Sequence, residues 1–263
     1  MKTLSFVIPI YNEEKRLSKT FLALKNFSAP KELSLKEIIF VNDGSTDKSE
    51  FIIKSEKSKI EQKLKATVKI VSYTQNKGKG YAVKQGMLVS NSDYTLFFDA
   101  DMSTSLSEIN KFLPFIKEGA NVIIGTRKNG KSTVIVHQPK LRELLGRSFT
   151  LITKTALRLN VTDFTCGFKA FSKEAKNKIF KVSKINTWGY DAEILFLANK
   201  YKFAIQEKAV TWSNDKETKV KLYKAIPQTF MELFLIYWYH EIMPVLLFIP
   251  KNLHIINRYK VSI

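Results

Sequence analysis

Residues 96–103 read LFFDADMS, an apolar run that ends in two aspartates one residue apart, followed by small side chains. The aromatic and β-branched content of Thr95 to Phe98 predicts a strand, and period-two geometry then points Asp99 and Asp101 to the same side just past its end. Like charges so close repel, so a positive partner is expected between them. A hard divalent cation held by carboxylates, with water and substrate phosphates completing its shell, meets that need. Aspartates that cap the next helix or make a turn are the competing reading.

Working outward, short β-rich runs alternate with helical stretches. LSFVIPI (4–10), EIIFVN (37–42), VKIVSY (68–73), YTLFFD (94–99) and NVIIGT (121–126) are separated by segments with helical periodicity. Such alternation predicts an α/β fold with a mostly parallel sheet covered by helices on both faces. Ligands bind such sheets beyond the carboxyl ends of the strands. The conspicuous polar residues fall there: Tyr11, Asn12 and Glu13 after the first strand, Asn42 and Asp43 after the second, Asn76 after the third, Asp99 and Asp101 after the fourth, Arg127 after the fifth.

Composition bounds the function. The 263 residues carry 43 Lys and Arg against 24 Asp and Glu, a formal charge of +19, so anionic partners are expected: nucleic acid, phosphorylated substrates or an anionic membrane surface. Nucleic acid fits poorly, because the aromatics do not interleave with Lys and Arg in a single-strand or helix-turn-helix pattern. The single cysteine, Cys166, rules out an intrachain disulfide and suits a reducing compartment. LSFVIPI is too short for a secretory signal, so the body of the protein is expected in the cytoplasm. There is no G-x-x-x-x-G-K-[ST], no G-x-G-x-x-G after the first strand and no G-x-S-x-G. The three histidines, at 137, 240 and 254, form no zinc motif. A metal-assisted reaction on a diphosphate survives these exclusions.

No linker or repeat divides the chain before its end. We expect one catalytic domain over residues 1–227 and an apolar helical tail over 228–263. The run FMELFLIYWYHEIMPVLLFI (230–249) is interrupted by Glu232, His240, Glu241 and Pro244, which makes a full membrane span costly. Glu232 and Glu241 lie nine residues apart, about half a revolution out of phase at 100° per residue. A bent pair of helices around Pro244, partly embedded in a membrane interface, is expected; a buried core helix or an oligomer contact is the alternative. Four lysines in KETKVKLYK (216–224) precede the tail and suit anionic lipid.

Seven blocks in order carry a family resemblance: PIYNEEKRL (9–17), VNDGSTDKS (41–49), NKGKGYAVKQGM (76–87), FFDADMS (97–103), IIGTR (123–127), DFTCGFKAF (163–171) and WGYDAEILFLA (188–198). Together they resemble the inverting family-2 glycosyltransferases of GT-A fold, with the greatest similarity to dolichyl-phosphate or polyprenyl-phosphate β-glucosyltransferases. The departure is Met102 in DADMS, where the family pattern has glycine. The resemblance implies transfer of glucose from UDP-glucose to a polyprenyl phosphate at the cytoplasmic face of a membrane, by a peripheral or monotopic protein using Mg²⁺ or Mn²⁺. A GDP-mannose donor, or a saccharide or protein hydroxyl as acceptor, is the alternative.

Carried over block by block, the resemblance implies that Pro9, Tyr11, Asn12, Glu13, Lys79 and Asp99 bind the donor, with Asp43 reading the base edge. A turn role for Asp43 in NDGS is the other reading. Asp99, Asp101 and Ser103 would hold the metal. A phosphate acceptor is already anionic and needs a cationic cradle more than a general base, and Arg127, Arg142 and Arg147 are the candidates. Asp191 would orient the sugar or acceptor, or act as base toward a hydroxyl, while Glu193 two residues on faces away and suits a structural role.

Overall fold

The structure is a computed structural model describing residues 1–128, 130, 132–136, 140–214 and 222–248. The expected strands form as β1 (Lys2–Ile10), β2 (Leu33–Asp43), β3 (Thr67–Tyr73), β4 (Tyr94–Phe98) and β5 (Val122–Thr126), with helices α1 (Leu17–Lys25), α2 (Ser49–Leu64) and α3 (Lys79–Val89) between the first four. A 3₁₀ turn (Leu106–Phe112) runs into α4 (Leu113–Lys117) before β5. Then come a short β6 (Val134–Val136), α5 (Lys140–Leu157), β7 (Phe168–Ser172), α6 (Lys173–Val182), α7 (Tyr190–Lys200), β8 (Ile205–Ala209) and β9 (Trp212–Ser213). The strand-like stretch 204–212 thus divides between two sheets, because β9 pairs with β6.

The main sheet has the order β3-β2-β1-β4-β7-β5-β8. Six strands are parallel; β7 is inserted antiparallel between β4 and β5. That insertion, absent from the sequence reading, matters for the site. Running the other way, β7 brings its amino end to the edge where β4 ends, with Phe98 paired to Phe168, so Gly167 abuts Asp99. The central strands are buried on both faces and are correspondingly rich in apolar residues. One core layer lies under α1 and α2, the other under α3, α6 and α7.

The C-terminal segment forms α8 (Leu222–Tyr237), a π-helical turn (Trp238–Ile242) and α9 (Met243–Phe248). Its inner face belongs to the core: Leu233 and Ile236 are buried in the layer containing α7, and Tyr237 Oη donates to Ala156 O at 2.5 Å. Its outer face exposes Phe230, Met231, Phe234, Trp238, Ile242, Met243 and Val245. The wider π turn shifts the helical phase, so the polar residues that interrupt the apolar run meet the protein. His240 pairs with the buried Glu193 at 2.7 Å, and Glu241 with Lys200 at 2.9 Å. Among the described residues no helix is long and apolar enough to cross a membrane. Of the basic run before the tail, residues 216–221 lie outside the described residues, as do residues 249–263.

At Gly86, α3 seats closely on β1 and β2. A Cβ on Gly86 would stand 2.3 Å from Val7 Cγ1 and 2.9 Å from Val41 Cγ2. Gly86→Ala therefore should lower stability by about 1–2 kcal/mol in urea unfolding, the overpacking cost exceeding the helix-propensity gain of about 1 kcal/mol. A variant as stable as the parent would show that α3 can lift without consequence.

Candidate functional site

The carboxyl ends of β1, β2, β4 and β5 open into one cavity of about 1500 Å³. Pro9, Tyr11, Glu13, Asp43, Lys79, Asp99, Asp101, Ser103, Arg127, Arg147 and Asp191 all line it. Asn12 is not among its lining residues: with φ at 53° it turns its side chain back, and its Oδ1 accepts from Thr46 N at 2.8 Å to brace the two loops. Arg142 lies in α5, but its side chain is outside the described residues.

Asp43 is almost wholly buried and holds the turn that opens α3. Its carboxylate accepts from Asn76 Nδ2 at 2.9 Å, Lys77 N at 2.8 Å and Gly78 N at 3.0 Å. The turn passes close to a neighbouring segment, for a Cβ on Gly78 would lie 2.5 Å from Asn186 O. Asp43 therefore shapes the floor of the cavity whatever it also reads in a ligand.

At the end of β4, Lys79 Nζ lies 2.6 Å from Asp99 Oδ1. The contact is an ion pair without aligned hydrogen-bond geometry. Gly167 makes room for this carboxylate, because a Cβ there would be 2.2 Å from Asp99 Oδ2. Burial works against the Lys79 ammonium, yet Asp99 and Asp191 outweigh it and raise its pKa. Asp101 accepts from Ser103 N at 2.8 Å and has no salt bridge among the described residues. Burial, then the charge of Asp99, pushes its carboxyl above the usual range. Met102, between Asp101 and Ser103, has φ of 55°, the left-handed region that glycine enters freely; a methionine there stores about 1–3 kcal/mol of strain.

These donors fit a hard divalent cation. Asp99 Oδ1 is buried with only a point charge against it, and the pair carries more negative charge than Lys79 offsets. Among the described residues no cluster of three or more His, Cys, Asp or Glu could hold a metal. Two carboxylates with water and phosphate oxygens completing the shell is the pattern that Mg²⁺ adopts.

Two charged partners of the site, Asp163 and Lys169, escaped the sequence reading. Arg127 does not present a free guanidinium: Nε donates to Asp163 Oδ2 at 2.7 Å and Nη2 to Asp163 Oδ1 at 2.9 Å, and its face stacks 5.2 Å from the Trp212 ring. Burial opposes the Asp163 carboxylate, but Arg127 overrides it and holds the carboxyl far below its ordinary value. Lys169, fully buried on β7, ion-pairs with Asp191 and donates to Cys166 O at 2.6 Å. Burial nevertheless raises the Asp191 carboxyl, against Lys169 and Lys79. The signal for Lys169 was available, a lone lysine inside the apolar strand FKAF.

Residues 5–180 match the family Glycosyl transferase family 2. A dolichyl-phosphate beta-glucosyltransferase of Dictyostelium discoideum is 32% identical over 226 residues, covering 82% of this chain and 68% of that protein. The Saccharomyces cerevisiae protein of the same name is 32% identical over 233 residues (83% and 69%), and the Homo sapiens one 29% over 234 (83% and 70%). Glucosyl-3-phosphoglycerate synthase from Mycobacterium tuberculosis, solved in complex with UDP, superposes with a TM-score of 0.64 at 18% identity, covering 89% of this chain and 80% of that one. The same enzyme with Mn²⁺, UDP-glucose and phosphoglyceric acid superposes at 0.64 with 17% identity, covering 89% and 79%. Both likenesses are of fold.

Asp43→Ala removes a charged acceptor from three donors, and about 1.5–3 kcal/mol of stability should go with it. Calorimetry should show weaker UDP binding in the same variant, because the 76–78 turn is released. Parental stability together with parental UDP affinity would remove Asp43 from the site.

Proposed function

The chain belongs to glycosyl transferase family 2, and within it we propose that it transfers glucose from UDP-glucose to a dolichyl-type polyprenyl phosphate with inversion at the anomeric carbon. The observation that carries this reading is the continuity of the cavity. It runs from the paired carboxylates at the end of β4 to Trp188, Phe230 and Leu233, beside the exposed apolar face of α8. A phosphorylated lipid needs both ends of such a groove.

In this reading a phosphate oxygen of the acceptor attacks the anomeric carbon from the face opposite the nucleotide. The bond to the UDP oxygen breaks, and its electron pair leaves with the diphosphate. The attacking monoester dianion has no proton to lose, so no base is required. Asp99 and Asp101, with Ser103 beside them, would hold Mg²⁺ or Mn²⁺, which neutralises charge on the departing diphosphate. Lys79 adds a second positive charge there. Arg147, exposed on α5 and lining the cavity, receives the acceptor phosphate, with Arg142 on the same helix. Arg127, bound to Asp163, positions the end of β5 and the Trp212 wall. Pro9, Tyr11 and Glu13 bound the nucleotide end, and Asp43 sets its floor.

Asp191, its charge matched by Lys169, orients the bound sugar or phosphate. Its raised pKa is the observation favouring the alternative, a hydroxyl acceptor with Asp191 as base. The outer face of α8 and α9 sits in the headgroup region of an anionic, cytoplasmic membrane surface, so the protein is peripheral or monotopic there. Residues 1–227 supply the donor site, and the tail from 228 supplies the lipid face and part of the core.

Radiolabelled UDP- and GDP-sugars offered with polyprenyl phosphate, free polyprenol and saccharides test this directly. Label should pass from UDP-glucose to polyprenyl phosphate alone, and Arg147→Ala should lower kcat/KM for the acceptor roughly tenfold or more, about 1.5–3 kcal/mol, with UDP affinity unchanged. Label on a hydroxyl acceptor and none on lipid phosphate would sink the reading.

A further inference from the structure

Glu232 is a charged residue in the middle of an apolar helix, yet it is buried, and two of its three bonds leave α8 for the loop before α7. Its Oε2 accepts from Gly189 N at 2.5 Å, and its Oε1 accepts from Thr187 Oγ1 and from Gln228 Nε2. Gly189 is the residue before the first turn of α7, and no side chain of α7's own caps that turn. A carboxylate placed against the open N–H groups of a helix start satisfies them and complements the helix dipole. Glu232 therefore caps α7 from another element.

The approach is close by construction. A Cβ on Gly189 would lie 2.8 Å from both Glu232 Cβ and Glu232 Oε2. On its other side the same loop is clamped to α3: Tyr81 N donates to Asn186 O at 3.2 Å, and a Cβ on Gly80 would lie 2.6 Å from Tyr190 Cβ. A second tie from the tail ends at Glu193, which accepts from Lys184 N, Ile185 N and His240 Nε2. The loop so held carries Thr187 and Trp188, and α7 starts with Tyr190 and Asp191; all four line the cavity.

The geometry points to Glu232 as a positioning residue for the acceptor side of the site. Through Gly189 it fixes the start of α7, hence the place of Asp191 and Trp188, and it makes α8 a part of the catalytic unit as well as its lipid-facing surface. The neighbours Met231 and Phe234 are exposed on the opposite side of the helix, so seating α8 on lipid and setting Asp191 are one rigid event. The inference rests on the glycosyltransferase reading above and extends it to a residue outside the seven sequence blocks.

Glu232→Gln keeps the volume but offers one acceptor oxygen where the loop needs two. With polyprenyl phosphate in detergent its kcat should fall about 10- to 100-fold, the effect of a small misplacement at a reacting centre, while its UDP affinity in Mn²⁺ and its sedimentation with anionic vesicles stay within about twofold of the parent. Glu232→Ala should be worse than Glu232→Gln. Gly189→Ala, which pushes the carboxylate away, should give a similar loss, and the Glu232→Gln/Gly189→Ala double variant should be no worse than the poorer single, since both break one contact. Parental kcat in either single variant overturns the inference, as does UDP affinity falling in step with kcat or losses that multiply in the double variant. If the parent uses a different acceptor, the lipid-phosphate reading fails, and the same comparison made with that acceptor still decides the role of Glu232.

Discussion

Lys79 Nζ stands 2.6 Å from Asp99 Oδ1 at the carboxyl edge of the sheet, and the surrounding structure keeps that pair where it is. The ammonium projects from the first residue of α3, whose entry turn is held by Asp43 and whose seat on the sheet requires Gly86. The carboxylate stands at the end of β4, where β7 arrives in reverse and offers Gly167, the residue type that leaves space for it. Two more carboxylates at this edge are matched in the same way, Asp191 by Lys169 and Asp163 by Arg127. Removing one partner of either of these last two, buried, pairs costs several kcal/mol, on the order of 3–5. The edge is thus a set of charges compensated one by one, and Asp101 is the carboxylate left for a cation from outside.

This accounting explains what was legible in the sequence. The alternation of β-rich and helical runs fixed the sheet's parallel half, because strands buried on both faces read as continuous apolar runs. The polar residues after each run then fell together for a topological reason. Met102 is instructive: the glycine expected from the family pattern corresponds to a backbone with φ of 55°, so the departure is one of side chain and strain, with the turn preserved. What was not legible were partners distant in sequence. Nothing in DFTCGFKAF says that Asp163 locks Arg127 or that Lys169 reaches Asp191, since both pairings depend on β7 running antiparallel between two parallel strands. Arg127, expected to meet the acceptor anion, lines the cavity with its Nε and Nη2 already held by Asp163.

In the tail the polar interruptions weigh against a membrane span, and among the described residues no helix is long and apolar enough to cross a membrane. Glu232, His240 and Glu241 read as obstacles to membrane insertion, scattered around a helix. Glu232, on α8, already faces the protein and meets Gly189, and a π turn, which single-sequence periodicity does not register, brings His240 and Glu241 round to Glu193 and Lys200. The inner face joins the core through Leu233 and Ile236 and adds the contacts of Glu232 and His240, while the outer face is apolar toward the surroundings, as a lipid surface demands; one of the inward contacts ends at the loop beside Asp191.

The central claim is direct displacement by a lipid phosphate at the cavity, with no sugar ever bonded to the protein. The anomeric configuration of the purified glucosyl lipid, read from its proton NMR coupling after reaction with UDP-α-glucose, tests that claim most directly. The account predicts a β-linked glucosyl phosphate as the sole product. An α-linked product would contradict it, for it would require an even number of displacements or a front-face attack that this site is not built to make.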